Sequence, residues 1–384
     1  MKISSIQTIV ACLGRRNHLF VKVLTDAGIT GIGEAYSVGP DLATKAAIDD
    51  FAGWLVGEDP TNVEHLWAKM YNFSRFPGGS VINSAISGIE MALWDVAGKA
   101  AGLPVCKLLG GRTRDKVRVY GHARGITAGD SPEETAEHAQ MLIAKYGYTA
   151  VKIGPHPKDS DTKPWAHTLR YAEAKMRAVR EAVGDDVEIG VDAHARVWEP
   201  FRAVELAEVL KPYRPFFLEE PLRPENIEAM AKLKQRIDIP LATGEDLYTK
   251  YEFRDLLVAD GADIIQPDIC VAGGFLEMKK IAAMAEAFYV TVAPHNPMGP
   301  LATAVNVHLA ASIPNFLILE YIPDDEGPRR DVLREPMKVV NGYIPVPDKP
   351  GWGVELNEEA LVGHPYEPWH RNFLYREDGS VAFV

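Results

Sequence analysis

Glu188-Ile189-Gly190-Val191-Asp192, Phe216-Phe217-Leu218-Glu219 and Pro240-Leu241-Ala242-Thr243 are short apolar runs, each closed by an acid or followed by one at Glu245. Runs of this length and content suit strands buried on both faces, as in a parallel sheet. The stretches between them are long enough for helices. Asp192, Glu219 and Glu245 recur at spacings of 27 and 26 residues, one strand-plus-helix unit each.

The rhythm extends both ways. Val117–Tyr120 and Ala150–Ile153 read as earlier strands, and Asp263–Pro267, Thr291–Ala293 and Leu317–Glu320 as later ones, eight in all. Ser131-Pro132-Glu133-Glu134 supplies an N-cap, a first-turn proline and a capping-box acid for a helix that ends at Gly147. Every gap except the last shows a helix-length segment, such as Leu276–Phe288. Eight strands with helical crossovers predict an α/β protein, a modified (β/α)8 TIM barrel over residues 116–342. A doubly wound sheet is the alternative, but Tyr120-Gly121-His122-Ala123-Arg124 is not the glycine-rich phosphate turn expected after its first strand.

Residues 1–115 read as a separate α+β domain. Leu19–Leu24 and Thr30–Glu34 flank an Asp26-Ala27-Gly28 turn, and Ile86, Ile89, Leu93 and Val96 mark a long helix that stops at Gly102, before Pro104. Residues 343–384 are rich in Pro and Gly, and the expectation is that they pack back on the N-terminal domain.

Composition narrows the function. The chain has 384 residues, a formal net charge of −12 and no basic block, which argues against nucleic acid. No run of about 18 apolar residues or secretory signal core is present, so no membrane partner is expected. Cys12, Cys106 and Cys270 are odd in number and far apart, which fits a reducing cytoplasm.

Chemistry in a barrel sits at the C-terminal ends of the strands. Strand two ends in Lys152, strand three in Asp192 with His194 beyond it, and strand four in Glu219-Glu220-Pro221. Glu245 follows strand five, Asp268 strand six and His295 strand seven, and Glu320 closes strand eight. One such acid would be a solvated loop carboxylate or a helix cap. Seven consecutive strand ends converging on one mouth are costly unless a cation or a substrate compensates.

Asp192, Glu219 and Glu245 therefore read as oxygen ligands of Mg2+, with Mn2+ the alternative. Asp268 beside His295 reads as a dyad in which the carboxylate fixes the tautomer of a general base. The strand alternation would aim His194 to the same side as Asp192, where it serves as general acid. Lys152 would hold a substrate carboxylate.

These motifs together resemble the mandelate racemase group of the enolase superfamily. Val191-Asp192-Ala193-His194, Leu218-Glu219-Glu220-Pro221 and Ala242-Thr243-Gly244-Glu245 are similar to its metal-ligand run. Gln266-Pro267-Asp268 and Ala293-Pro294-His295-Asn296-Pro297 are similar to its Asp–His dyad. Glu320 matches an acid that in the family hydrogen-bonds the substrate carboxylate, and here would do so as a donor if protonated. Ser84–Asp95 resembles the helix of the family's capping domain, with Leu108-Leu109-Gly110-Gly111 after it. Within the group the likeness is nearest to sugar acid dehydratases of the D-galactonate type, through His194 and the tail Asn372–Ala382.

The resemblance implies removal of the α-proton of a sugar acid, loss of the β-hydroxyl and formation of a 2-keto-3-deoxy acid. It also implies a homo-oligomer. Family members often carry Lys-x-Lys at the end of strand two, but here Gly154 stands where the second lysine would be. One base, His295, then serves an R-configured α-carbon, and racemisation lacks its second base. Cap loops at Leu13–His18 and Ser74–Gly79, with His18 and Arg75, are candidates for closing over the polyol tail, and His156 is a further candidate. Epimerisation or cycloisomerisation of a sugar acid or lactone is the nearer alternative. A barrel hydrolase would need bridging His ligands or a carbamylated lysine, and neither arrangement is present.

Overall fold

The computed structural model describes residues 1–384 apart from 15, 38–39, 125–128, 369–374 and 383–384. Asn372–Leu374 of the tail motif and Arg15 of the first cap loop thus lie outside the described residues.

The chain opens with an antiparallel sheet of β1 (Ile3–Cys12), β2 (Asn17–Thr25) and β3 (Thr30–Ala35), in that order. Helices α1 (Asp41–Leu55), α2 (Val63–Phe73) and α3 (Gly79–Ala101) follow, and α3 lies directly on the sheet. Glycine permits that approach, because a Cβ at Gly33 would stand 2.1 Å from the carbonyl oxygen of Gly88 in α3. The helix ends where Gly102 turns left-handed, at φ 67°. A short α4 (Val105–Leu108) leads out of this unit.

The second unit is the parallel sheet. Its strands are β4 (Lys116–His122), β5 (Ala150–Ile153), β6 (Glu188–Asp192), β7 (Phe217–Glu219), β8 (Leu241–Thr243), β9 (Ile264–Ile265), β10 (Thr291–Val292) and β11 (Leu319–Glu320). They pair in the order β10-β9-β8-β7-β6-β5-β4-β11. Hydrogen bonds from Val292 N to Asn315 O and from Leu317 N to Val292 O, both 2.9 Å, join the two ends and close the barrel. Outside it run α5 (Pro132–Tyr146), α6 (Trp165–Val183), α7 (Pro200–Leu210), α8 (Ile227–Lys234), α9 (Thr249–Val258), α10 (Phe275–Ala287) and α11 (Pro300–Ser312). The capping box at Ser131 and Glu134 forms in full, a feature worth about 1 kcal/mol.

The last crossover corrects the sequence reading, since α11 fills the gap that showed no helical segment. All thirteen of its residues are buried. A helix enclosed on every side has no polar face, so its sequence carries no 3.6-residue period to read.

Two acids of the N-terminal unit grip the barrel. Glu34 on β3 accepts hydrogen bonds from Gly299 N (2.7 Å) and Ala302 N (3.0 Å), at the start of α11. Glu90 on α3 accepts from Phe275 N (2.7 Å) and Leu276 N (2.9 Å), at the start of α10. Carboxylates there satisfy N–H groups that have no partner within the helix and face its positive end. These two helices follow strands β9 and β10, so the grip fixes the cap over the ends of those strands.

The C-terminal segment touches both units. Strand β12 (Tyr343–Pro345) pairs antiparallel with the lower half of β4. Trp352, fully buried, then takes its backbone N–H to Asp95 (2.9 Å) and its indole N–H to the carbonyls of Ile32 and Met91 (3.1 Å each). Cys12 N donates to His364 O, and Asn17 and Glu367 exchange hydrogen bonds. All three cysteines are free thiols. Among the described residues no helix is long and apolar enough to cross a membrane.

Candidate active site

The register of the parallel strands sets the site. Asp192 and Glu219 are directly paired across β6 and β7, and Lys152 sits one strand away on β5, opposite Gly190. The Lys152 ammonium lies 2.6 Å from Glu219 Oε1, 2.8 Å from Glu320 Oε1 and 3.1 Å from Asp192 Oδ2, and the side chain is 1% exposed. Lys152 is therefore shared among three carboxylates and does not stand free at the mouth.

One ammonium does not balance three carboxylates. Burial, and then the Asp192 charge, push the Glu219 carboxyl well above the ordinary range. Asp192 is held low against the pull of burial by Lys152 and His194. Glu320 is held well below the ordinary range, again against burial, by Lys152 and His122. Its Oε2 accepts from Asn296 N at 2.7 Å and its Oε1 from Lys152, so both oxygens act as acceptors. Both oxygens are thus engaged as acceptors, and neither stands as the donor to a substrate carboxylate that protonation would have given.

The other side is built differently. Asp268 and His295 form a parallel bridge just beyond β9 and β10. His295 Nδ1 is 2.8 Å from Asp268 Oδ2, while Asp268 Oδ1 accepts from Cys270 N at 2.7 Å, which orients the carboxylate. His295 Nε2 points inward, 3.7 Å from Glu245 Oε2. Burial alone would lower this imidazole, but the Glu245 charge and the Asp268 hydrogen bond overcome it and raise the pKa to about 10. Glu245 sits beyond the end of β8, where Gly244 adopts φ 129°, a conformation that side-chain-bearing residues avoid. Glu220 steadies that turn, accepting from Thr243 Oγ1 (2.6 Å) and Gly244 N (2.9 Å).

His194 arrives by a different route from the one its spacing implied. Strand β6 stops at Asp192, and His194 and Ala195 both have φ 52°, so strand alternation does not reach them. Asp192 Oδ1 accepts from His194 N at 2.8 Å and holds the turn. The ring still lies close enough to bear on the charges of Asp192 and Glu245, and its buried Nδ1 has no hydrogen-bond partner.

A cavity of about 190 Å3 opens beside His295 and Glu245. Its cap wall comes from Tyr36, Pro40, Thr44, Ser80 and Ser84, and Asp246 and Tyr248 join from the barrel. Burial pushes the Tyr36 phenol up, so it remains a neutral hydroxyl. The cap candidates read from sequence lie elsewhere. Arg75 is exposed, with its guanidinium over the Phe76 ring. His18 is buried and hydrogen-bonded to Glu34. His156 is buried against the backbone of Ala193 and borders a different cavity.

His122 is the residue that sequence reading passed over. It closes β4, the strand end that was weighed only as a phosphate turn, and its Nε2 lies 2.5 Å from Glu320 Oε1. The strand-end rule applied to strand one finds it.

The donor set fits a hard divalent cation. Asp192, Glu219 and Glu245 offer only oxygen, Glu219 Oε2 is buried without a hydrogen-bond partner, and the cluster carries more negative charge than Lys152 balances. Among the described residues no three His, Cys, Asp or Glu side chains are gathered round one point. Lys152 lies between Asp192 and Glu219, and Glu245 leans toward His295.

The chain matches two family models, the mandelate racemase / muconate lactonizing enzyme N-terminal domain over residues 1–110 and the enolase C-terminal domain-like model over 134–360. It belongs to the mandelate racemase group of the enolase superfamily and is an enzyme. It is 37% identical to a D-galactonate dehydratase of Xanthomonas euvesicatoria pv. vesicatoria (strain 85-10), over 95% of this chain and 96% of that one. A D-galactonate dehydratase of Ralstonia pickettii (strain 12J) is 38% identical with the same coverage. A crystal structure from Agrobacterium radiobacter superposes with a TM-score of 0.95 at 43% identity over 100% of both chains. That protein is an enolase provisionally assigned as a galactarate dehydratase, with sodium and L-malate bound.

Proposed function

We propose that this enzyme is a hydro-lyase that dehydrates a sugar acid, an aldonate of the D-galactonate type, to a 2-keto-3-deoxy acid. The observation that carries the reading is the Asp268–His295 dyad, which turns one imidazole nitrogen into the cavity opposite a buried cluster of charge. The curated relatives that share nearly the whole chain support the same chemistry.

In this reading Lys152 takes up the substrate carboxylate, exchanging one of its present carboxylate partners for it. His295 Nε2 removes the α-proton, and the C–H electron pair passes onto the substrate carboxylate as an enolate, from which it later forms the carbon–carbon double bond as the hydroxyl leaves. His194 donates a proton to the β-hydroxyl, which departs as water as the C–O bond breaks. The enol then tautomerises to the 2-keto acid. Asp268 keeps the proton of His295 on Nδ1, so that Nε2 is the basic atom. Glu320, accepting from His122 and Asn296, fixes the position of Lys152.

Asp192, Glu219 and Glu245 would hold Mg2+, or Mn2+. When bound, the cation supplies positive charge facing the substrate carboxylate as negative charge builds there, and draws the Glu245 charge away from His295. The division into a cap (1–115), a barrel (116–342) and a closing segment (343–384) belongs to the same proposal.

The test is a screen of acid sugars with magnesium, scored by 2-keto-3-deoxy product. Galactarate is included because of the Agrobacterium structure. Dehydration of an R-configured aldonate is the expected result. Deuterium exchange at an α-carbon without dehydration would instead point to epimerisation or cycloisomerisation.

A further inference from the structure

A second cavity, of about 400 Å3, lies between the loops that follow strands β5 and β6. None of its lining residues belongs to the site above, yet it abuts the turn that carries Asp192 and His194. His156 is 5% exposed, and one ring nitrogen is hydrogen-bonded to the backbone of Ala193. Its Nε2 is buried without a hydrogen-bond partner.

Two more buried groups without partners border the same space. Arg196 spends one terminal nitrogen on Ser160 (3.0 Å) and Asp161 (2.6 Å), which leaves its Nε–H as an unmatched donor. Thr168 is fully buried, and its hydroxyl has no partner. A ring nitrogen, a guanidinium N–H and a hydroxyl round one cavity call for a ligand with hydrogen-bonding groups at several points.

The rest of the wall narrows the class. Trp165 and Trp198 present indole rings, the apolar faces against which the C–H groups of a polyol pack. Arg202 lies over the Trp165 ring, 5.4 Å from its centroid. Lys163, Arg196, Arg202 and Arg376 outnumber Asp161 and Glu199 on the wall, in a chain whose net charge is −12. A locally positive cavity on an acidic protein selects an anion.

We propose that this cavity is a second binding site for a polyhydroxylated carboxylate, held by His156, Thr168 and Arg196 and packed against Trp165 and Trp198. That chemistry is shared by the sugar acid substrate and its 2-keto-3-deoxy product, and the choice of ligand rests on the function proposed above.

The test uses the His295→Asn enzyme, which keeps ligands intact, titrated separately with D-galactonate and with 2-keto-3-deoxy-D-galactonate while tryptophan fluorescence is followed. A saturable change that is absent from the His295→Asn, Trp198→Phe protein and at least tenfold weaker after Thr168→Val supports the site. Whichever probe binds at lower concentration names its source. No Trp198-dependent change with either probe overturns the proposal, whether or not the wild-type enzyme dehydrates galactonate. A Trp198-dependent change without dehydration leaves the cavity standing while the proposed reaction falls. Should Thr168→Val fail to fold, crystals soaked with D-galactonate decide: density between Trp198 and Arg196 supports the site, and its absence overturns it.

Discussion

On the second barrel strand Lys152 is 1% exposed and touches three carboxylates. On the seventh, His295 is 11% exposed, touches one carboxylate closely and turns its other nitrogen toward a cavity. Both side chains are cationic, or readily so, and both sit in a ring of acids. The Lys152 ammonium is enclosed by partners and has nowhere to send a proton, so this side stores charge. His295 has one partner that fixes its orientation and one face left open, as the proton transfer proposed above requires. In the proposed reaction, this difference lets a ring of acids and bases on a near-symmetric barrel act from one side. Gly154 strengthens the asymmetry by placing no second base beyond Lys152.

The largest expected effect tests the proton-moving side. His295→Asn keeps the hydrogen bond to Asp268 but removes the base, and turnover should fall by about 10^3-fold or more, the upper part of the range for general-base catalysis. Deuterium exchange into the substrate α-position should vanish with it. His194→Gln should also stop product formation yet retain the exchange, because proton removal precedes loss of the hydroxyl. Loss of exchange in both variants would merge roles that the geometry separates.

The charge-storing side is tested by stability. Lys152→Met leaves Asp192, Glu219 and Glu320 facing one another without their ammonium, and removing one partner of a buried ion group costs about 3–5 kcal/mol. Urea unfolding in the presence of a chelator should show a loss of that order. Magnesium should restore part of it, if Asp192 and Glu219 hold the cation. A variant as stable as wild type would show that Lys152 is not what balances the cluster.

Much of this was legible because the barrel converts sequence period into geometry. Once Asp192, Glu219 and Glu245 are known to lie one strand-plus-helix unit apart, their placement at neighbouring strand ends follows without knowledge of any side-chain angle, whereas the separation of Glu245 from the other two depends on those angles. What escaped has physical causes. Strand ends are readable but the turns beyond them are not, so the positive φ of His194 was out of reach. Periodicity reports only half-buried helices, and α11 is enclosed. Ionisation is a property of the whole cluster, so Glu320 could be placed at the mouth while its charge state could not be read. The cap wall at Tyr36, Ser80 and Ser84 depends on how two domains dock, through Glu34 and Glu90, and no local pattern encodes that.

A histidine outside the site sharpens the comparison with His295. His308 on α11 is fully buried, but its partners are neutral. Its Nε2 meets Trp352 O at 3.0 Å and its Nδ1 meets Cys106 N at 3.4 Å. Burial lowers its pKa to about 4, where His295 with its acids is raised to about 10. Unfolded, His308 titrates near 6.5. The folded group binds its proton less readily, so its contribution to stability is full above about pH 6.5 and is lost as pH falls toward 4, about 3 kcal/mol in all. Urea midpoints measured between pH 7 and 4 should fall more steeply for wild type than for His308→Gln by that amount. Parallel slopes would mean that burial alone does not set this histidine.

The smallest effect concerns the link between the two sides. Glu320 is reached by Lys152 from strand two and by Asn296 N, the backbone next to His295, from strand seven, and His122 is its third donor. His122 touches neither the cavity nor the proposed cation ligands and acts through Glu320, which makes it a positioning residue. Loss of one hydrogen bond to a buried carboxylate that keeps two others should cost about 1.5 kcal/mol, or roughly tenfold in kcat/KM. His122→Phe should show that loss. His122→Gln, which returns an N–H donor at a similar reach, should recover most of it. A smaller loss in His122→Phe than in His122→Gln would assign His122 to packing, because Phe better keeps bulk and burial while only Gln keeps the hydrogen bond.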